Sequence, residues 1–372
     1  MALRVFLFTL LLMTTPMLRL HAEIKIGWVG PLTGNAAALG VDTVPAIQIA
    51  FDEINARGGI NGHTLRLIVE DDQYITSKTL SAYRKLVHVD GVQVLFVLTY
   101  GGLFAVADQA MRDNILLVDT LDCDEHIARL PANIFCIAKT TESMGQGIAD
   151  QIAATGDHPS AVIYYDGDPF MGTLYESFKN QLQDKGIRPS LVHTYNESNT
   201  DCRSFVTRIK HNKDIKSVVL FGYDQLGRAA RMIKEAGANV RFYGVNTATS
   251  PGFQKLTEGA TEGMRGSAFL APDSEQLEKF RRDFIEKTGR EWQFETSTIP
   301  SFDAARLIAN SLSKLVSAES RTLKVTEIRE SLLGVRDYIG LSGSITIDKD
   351  GATRSIPVRN VIFAGGKAKL AP

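Results

Sequence analysis

Short apolar runs alternate with longer segments of helical period through most of this chain, and that alternation constrains its fold more than any other feature. Residues 24–30, 65–70, 94–98 and 115–118 read as strands, separated by helical spacing over 44–55, 78–89 and 103–111. The pattern restarts after residue 140. Strands are expected at 161–165, 191–195, 217–221 and 241–245, and helices at 143–154, 174–185, 205–211 and 227–236. Near-continuous Val, Ile and Leu runs belong to strands buried on both faces, as in parallel sheets covered by helices. Each unit is then a right-handed βαβ crossover. Three further helices (277–288, 302–316, 325–333) and two short strands (343–347, 357–363) complete the chain. The expected class is α/β, with two doubly wound parallel-sheet lobes joined by a hinge of short crossings. Residues 23–140 plus 271–345 would form the N-terminal lobe, and 141–270 plus 346–372 the C-terminal lobe. Two hinged lobes enclose a cleft, and open α/β sheets bind ligands beyond the carboxyl ends of their strands.

The first 22 residues stand outside this pattern. Arg4 precedes an apolar stretch, and Leu20-His21-Ala22 offers a small-residue cleavage site near Ala22-Glu23. This reads as a secretory signal peptide, too short in its apolar part to span a membrane. Export to the periplasm is the expectation. The 372 residues carry a formal net charge of −1 and no dense basic block, so nucleic acid is not an expected partner.

Sequence signatures of catalysis are absent. Gly30-Pro31-Leu32-Thr33-Gly34 does not match GxGxxG, and neither a phosphate-binding GxxxxGK[ST] loop nor GxSxG occurs. The seven histidines are scattered, with no HExxH. Asp71-Asp72 reads as a polar strand end. The three cysteines, Cys123, Cys136 and Cys202, include no CxxC, so no metal site and no cofactor are expected. In an oxidising compartment one pair can close. Cys123 and Cys136 bracket a short loop and are the expected disulfide, with Cys202 free. Trp28, inside a strand, is expected in the core.

The order of several motifs then resembles a known family. Ile24-Lys25-Ile26-Gly27 and Gly30-Pro31-Leu32-Thr33-Gly34 are followed by Asp52-Glu53-Ile54-Asn55-Ala56-Arg57-Gly58-Gly59-Ile60-Asn61-Gly62. Later come Phe221-Gly222-Tyr223, Glu235-Ala236-Gly237 and Ser342-Gly343-Ser344-Ile345-Thr346-Ile347-Asp348. This series resembles the type I periplasmic binding proteins of the Leu/Ile/Val-binding branch, which feed ABC importers, and it covers residues 23–372. The resemblance implies two lobes, three crossings and closure around a ligand.

Carried over position by position, the resemblance places the α-carboxylate of an amino-acid ligand at the end of the third strand, at Tyr100 and Gly101. Tyr100 stands where the family usually has serine. Leu121, Asp122 and Cys123 occupy the loop after the fourth strand. Phe170 and Tyr223 correspond to aromatic wall residues of the second lobe. Leu39 lies where an aromatic often lines the pocket. Asn246 falls where amino-acid binders often carry an acid for the α-ammonium. Asp122, with Asp224 in reserve, is the expected replacement for that acid. The implied function is the substrate-binding component of an ABC importer: a monomer, not an enzyme, that captures a small amino acid or related polar solute and delivers it to an inner-membrane permease. The alternatives are a ligand-sensing subunit of a signalling system, or a binder of an amide, urea-like compound, amine or aromatic acid.

Overall fold

The structure is a computed structural model that describes residues 23–34, 36–196, 200–317 and 323–371. The signal-peptide segment lies outside these residues. The first sheet is built from β1 (Glu23–Gly30), β2 (Thr64–Asp71), β3 (Val94–Val97), β4 (Leu116–Asp119) and β5 (Ile134–Cys136), in the order β2-β1-β3-β4-β5, all parallel. Its connections are α1 (Thr43–Ala56), α2 (Thr76–His88), α3 (Tyr100–Asp113) and the single turn α4 (Glu125–Ala128). β3 and β4 are buried along their whole length, as their uninterrupted apolar runs require. α1 ends where expected, because Gly59 takes φ +71° and a Cβ there would sit 2.1 Å from the His63 carbonyl oxygen.

After α5 (Thr141–Thr155) the chain builds a second sheet. Its elements are β6 (Ser160–Tyr165), α6 (Pro169–Asp184), β7 (Leu191–Tyr195), α7 (Arg203–His211), β8 (Ser217–Phe221), α8 (Gln225–Glu235), β9 (Arg241–Val245), α9 (Pro251–Thr257) and β10 (Met264–Phe269). The chain then returns to the first lobe as α10 (Glu275–Thr288), α11 (Glu295–Leu315), α12 (Val325–Leu333) and the hairpin β11 (Tyr338–Gly340) with β12 (Gly343–Ile345). β13 (Val358–Ala364) and β14 (Lys367–Leu370) finish the second sheet, in the order β14-β13-β10-β9-β8-β6-β7. β13 and β14 are antiparallel additions to an otherwise parallel sheet. β10, the partner that β13 needs, was not among the expected strands. Its Met264-Arg265-Gly266-Ser267-Ala268-Phe269 sequence lacks a branched apolar run, and only pairing with β9 and β13 makes it a strand.

One core joins β1, β3 and β4 to α1, α10, α11 and α12 through Trp28, Phe51, Phe96, Phe284 and Ile308. A second runs from Val29, Leu95 and Leu117 through Met144 and Phe170 to Val162, Val219 and Tyr243 of the other sheet. Apolar packing is therefore continuous through the junction of the lobes. Trp28 is fully buried.

Cys123 and Cys136 form a disulfide across 13 positions of sequence, and Cys202 is a buried free thiol. The bond ties the loop after β4 to β5. Replacing both cysteines by alanine is expected to lower stability by about 2–4 kcal/mol, on the chain-entropy account of a loop this short. Denaturant melts of oxidised and double-variant protein check this. Equal midpoints would show that the bond does not limit unfolding.

A candidate binding site between the two lobes

The carboxyl ends of β1 and β2 face those of β6, β7 and β8 across a cavity of about 310 Å³, lined by Gly34, Tyr74, Tyr165, Tyr195, Asn196 and Tyr223 among others. This is the position where open α/β sheets bind ligands. The four tyrosines come from both lobes. Tyr165 lies 5.1 Å from Tyr195 and 6.1 Å from Tyr223, centroid to centroid, and Tyr74 meets Tyr223 edge to face at 6.4 Å.

Tyr74 is held there by a backbone that side chains rarely adopt. Gln73 and Tyr74 have φ of 57° and 62°. Such a conformation costs of order 1 kcal/mol or more per residue and persists only where neighbours enforce it. The two aspartates before it do so. Asp71 Oδ1 accepts from the Gln73 N–H at 3.0 Å, and Asp72 Oδ1 accepts from the Tyr74 N–H at 2.9 Å. Asp72 Oδ2 is itself fixed by the hydroxyls of Thr79 (2.7 Å) and Thr99 (2.6 Å). The acidic pair is thus the brace that aims Tyr74 into the cavity.

Behind the rings lies a buried group of acids. Asp168 caps α6, accepting from the Phe170 N–H at 3.0 Å, and its other oxygen accepts from the Tyr223 hydroxyl. Asp119 Oδ1 accepts from the N–H groups of Leu121 (2.7 Å) and Asp122 (3.1 Å). Burial raises the pKa of Asp168, Asp119 and Asp122; the Asp122 charge adds to the effect on Asp119 and Asp168. The Tyr74 hydroxyl is pushed well up by burial and then by the charges of Asp168 and Asp122.

Two expectations about the ammonium partner are corrected. Asp122 is not free to meet a ligand's charge. It is 0% exposed, and its Oδ1 lies 2.8 Å from Nζ of Lys139, which is 1% exposed, also donates to the Leu121 carbonyl and sits 5.4 Å above the Phe170 ring. Asp224 does not face the cleft as a spare acid either. It accepts from the Ser250 hydroxyl and packs against Gly252 within its own lobe.

The remaining expected residues divide. Tyr223 lines the cavity, and Phe170 is buried beneath Lys139. Asn246 spans the lobes instead, donating to Thr296 Oγ1 of α11 at 2.5 Å. Leu39 is core, with its carbonyl accepting from Ser297 Oγ at 2.6 Å. Cys123 is locked in the disulfide. Tyr100 and Gly101 form the first turn of α3 rather than a loop, because the helix starts three residues earlier than its apolar spacing indicates. The Tyr100 hydroxyl donates to Asp124 Oδ2 at 2.7 Å. Both residues line a larger groove of about 640 Å³ between the flanks of α3, α5 and α6, away from the tyrosines. Tyr74, Tyr165, Tyr195, Asp168 and Lys139 were missed. The aromatics at the ends of β6 and β7 were a readable signal; nothing in the sequence marks Lys139 as buried.

Among the described residues no group of His, Cys, Asp and Glu could hold a metal ion, and no helix is long and apolar enough to cross a membrane. The chain is 26% identical to the Leu/Ile/Val-binding protein BraC3 of Rhizobium johnstonii over 83% of its own length and 84% of that protein. It is 22% identical to the leucine-, isoleucine-, valine-, threonine- and alanine-binding protein of Pseudomonas aeruginosa, covering 88% and 86%. Its fold superposes with a TM-score of 0.82, at 20% identity, on the branched-chain amino acid transporter substrate binding protein LivJ of Streptococcus pneumoniae in complex with isoleucine, covering 93% of this chain and 98% of that one. A solute binding protein of an ABC transporter from Rhodopseudomonas palustris, in complex with 3,4-dihydroxybenzoic acid, superposes at 0.79 and 18% identity, covering 93% and 95%. The family model described as "Periplasmic binding protein" matches residues 23–367, and with two doubly wound lobes around a shared cavity the chain belongs to that family.

Proposed function

We propose that this protein is the solute-capturing component of an ABC-type importer. It is exported to the periplasm as a monomer, encloses one small solute between its lobes and presents the closed form to a membrane permease. It makes and breaks no bond. The observation that carries this reading is the cavity between the strand ends of both lobes, whose walls are supplied by both. The relatives named as binding Leu, Ile and Val, and the solved structures holding isoleucine or a dihydroxybenzoic acid, support a small organic solute.

A thermal-shift screen against small metabolites tests it, with small-angle scattering to follow closure. A ligand at about 100 times its dissociation constant stabilises by about 2.7 kcal/mol, a clear shift. Tyr223→Ala is expected to weaken the ligand so found by roughly 1–3 kcal/mol, through loss of a wall ring and of the hydroxyl on Asp168. Titration calorimetry alongside melts reads both effects. Unchanged affinity with a lowered melting temperature would make Tyr223 a core residue and move the site elsewhere.

A further inference from the structure

Buried acids behind the cavity outnumber buried cations. Asp119, Asp122 and Asp168 are 0, 0 and 6% exposed, against the single buried ammonium of Lys139, which Asp122 already holds. Oδ2 of Asp119 is buried without a hydrogen bond, and the buried Tyr74 hydroxyl, beside that of Tyr223, feels all three charges. Buried polar atoms are rarely left so, and an unpaired buried charge is expensive. Among the described residues lining the cavity there is no Lys, Arg or His. Its walls include the rings of Tyr74, Tyr165, Tyr195 and Tyr223, and aromatic faces attract cations. Asp168 and Asp224 also act on Tyr195.

The donors nearest the buried acids are committed within the protein. The Thr99 hydroxyl donates to Asp72, the Tyr100 hydroxyl donates to Asp124, and Thr120 shares a 2.7 Å hydrogen bond with Ser301. An anionic group entering here would face these acids and meet no lining cation. We propose that the solute of this cleft is a cation, an amine or quaternary ammonium compound that carries no carboxylate. The proposal rests on the reading of the cleft as the importer's binding site. The charged end lies between the tyrosine rings, with the buried acids behind them.

The test uses the exported protein and matched probes: isopentylamine, leucine and 4-methylpentanoate; tyramine, tyrosine and 3-(4-hydroxyphenyl)propanoate; and choline. Calorimetric titration near neutral pH is expected to show an amine at least tenfold tighter than its matched amino acid and acid, or choline tighter than every carboxylate. Asp168→Asn, which keeps the helix cap, is expected to reduce that binding tenfold or more, and Tyr165→Ala about tenfold, with both variants retaining a cooperative melt. An amino acid or acid binding as tightly as its amine overturns the proposal, as does failure of all the amines and choline to bind. Scattering separates this from the importer reading. Closure on an anionic or zwitterionic solute from a pooled metabolite mixture refutes the cation and leaves the importer. A protein that closes on no solute refutes the importer itself.

Discussion

Lys139→Ala is expected to destabilise the protein by about 3–5 kcal/mol, the range for removing one partner of a buried ion pair. Lys139 and Asp122 are each about 1% exposed, so water cannot replace the lost ammonium. The Leu121 carbonyl loses its donor at the same time. The stranded Asp122 then lowers its own penalty by taking up a proton. Because its folded pKa is already raised by burial, the variant binds more protons folded than unfolded, and its stability falls further as pH rises. The deficit relative to wild type should be smaller near pH 5 than at pH 8. A double variant, Lys139→Met with Asp122→Leu, should recover most of the loss, since well-packed apolar replacements of buried pairs are often neutral. Urea melts of wild type, Lys139→Ala and the double variant at both pH values test this. A pH-independent loss in Lys139→Ala, unrecovered in the double variant, would show that the lysine acts through packing over Phe170 and not through its charge.

Asp303 gives the second large effect, and it depends on pH. This α11 carboxylate is 1% exposed and accepts from the N–H groups of Leu341 (2.8 Å) and Ser342 (2.7 Å), which fastens the β11–β12 hairpin to the first lobe. Burial raises its pKa to about 6, against the hydrogen bonds and the Arg306 charge, which lower it. A raised carboxyl pKa means that the folded state holds the proton more tightly. Its contribution is therefore full below the unfolded value of 3.8 and is lost as pH rises to about 6. Two pKa units correspond to about 3 kcal/mol at most. The difference in unfolding free energy between wild type and Asp303→Asn isolates this group. It is expected to shift by about 2–3 kcal/mol in disfavour of wild type between pH 4 and pH 7. A flat difference across that range would mean that the carboxyl is ionised throughout and that its two N–H donors fully offset burial.

The strands and helices that were readable share one property: their sequence period matches their burial. β3, β4, β6 and β8 are uninterrupted apolar runs because both faces are covered, and α1 and α10 show their apolar stripe because one face meets the first lobe's core. β10 and β14 were not readable, because each exists through its partner strand. In the site, Tyr223 lines the cavity. Asp122 also lies near the cleft, yet its charge is cancelled by a residue 17 positions away that no local pattern marks.

The order of βα units, the glycine stop after α1, the short loop between Cys123 and Cys136 and the match to the family were all present in the linear chain. These depend on local backbone preference and on period, which neighbouring residues set. Tertiary structure alone decided which acid faces which cation, that Asn246 reaches Thr296, and that Tyr74, Tyr165, Tyr195 and Tyr223 share one cavity. Such facts depend on the distance between charges and rings that folding brings together, and a sequence carries no measure of that distance.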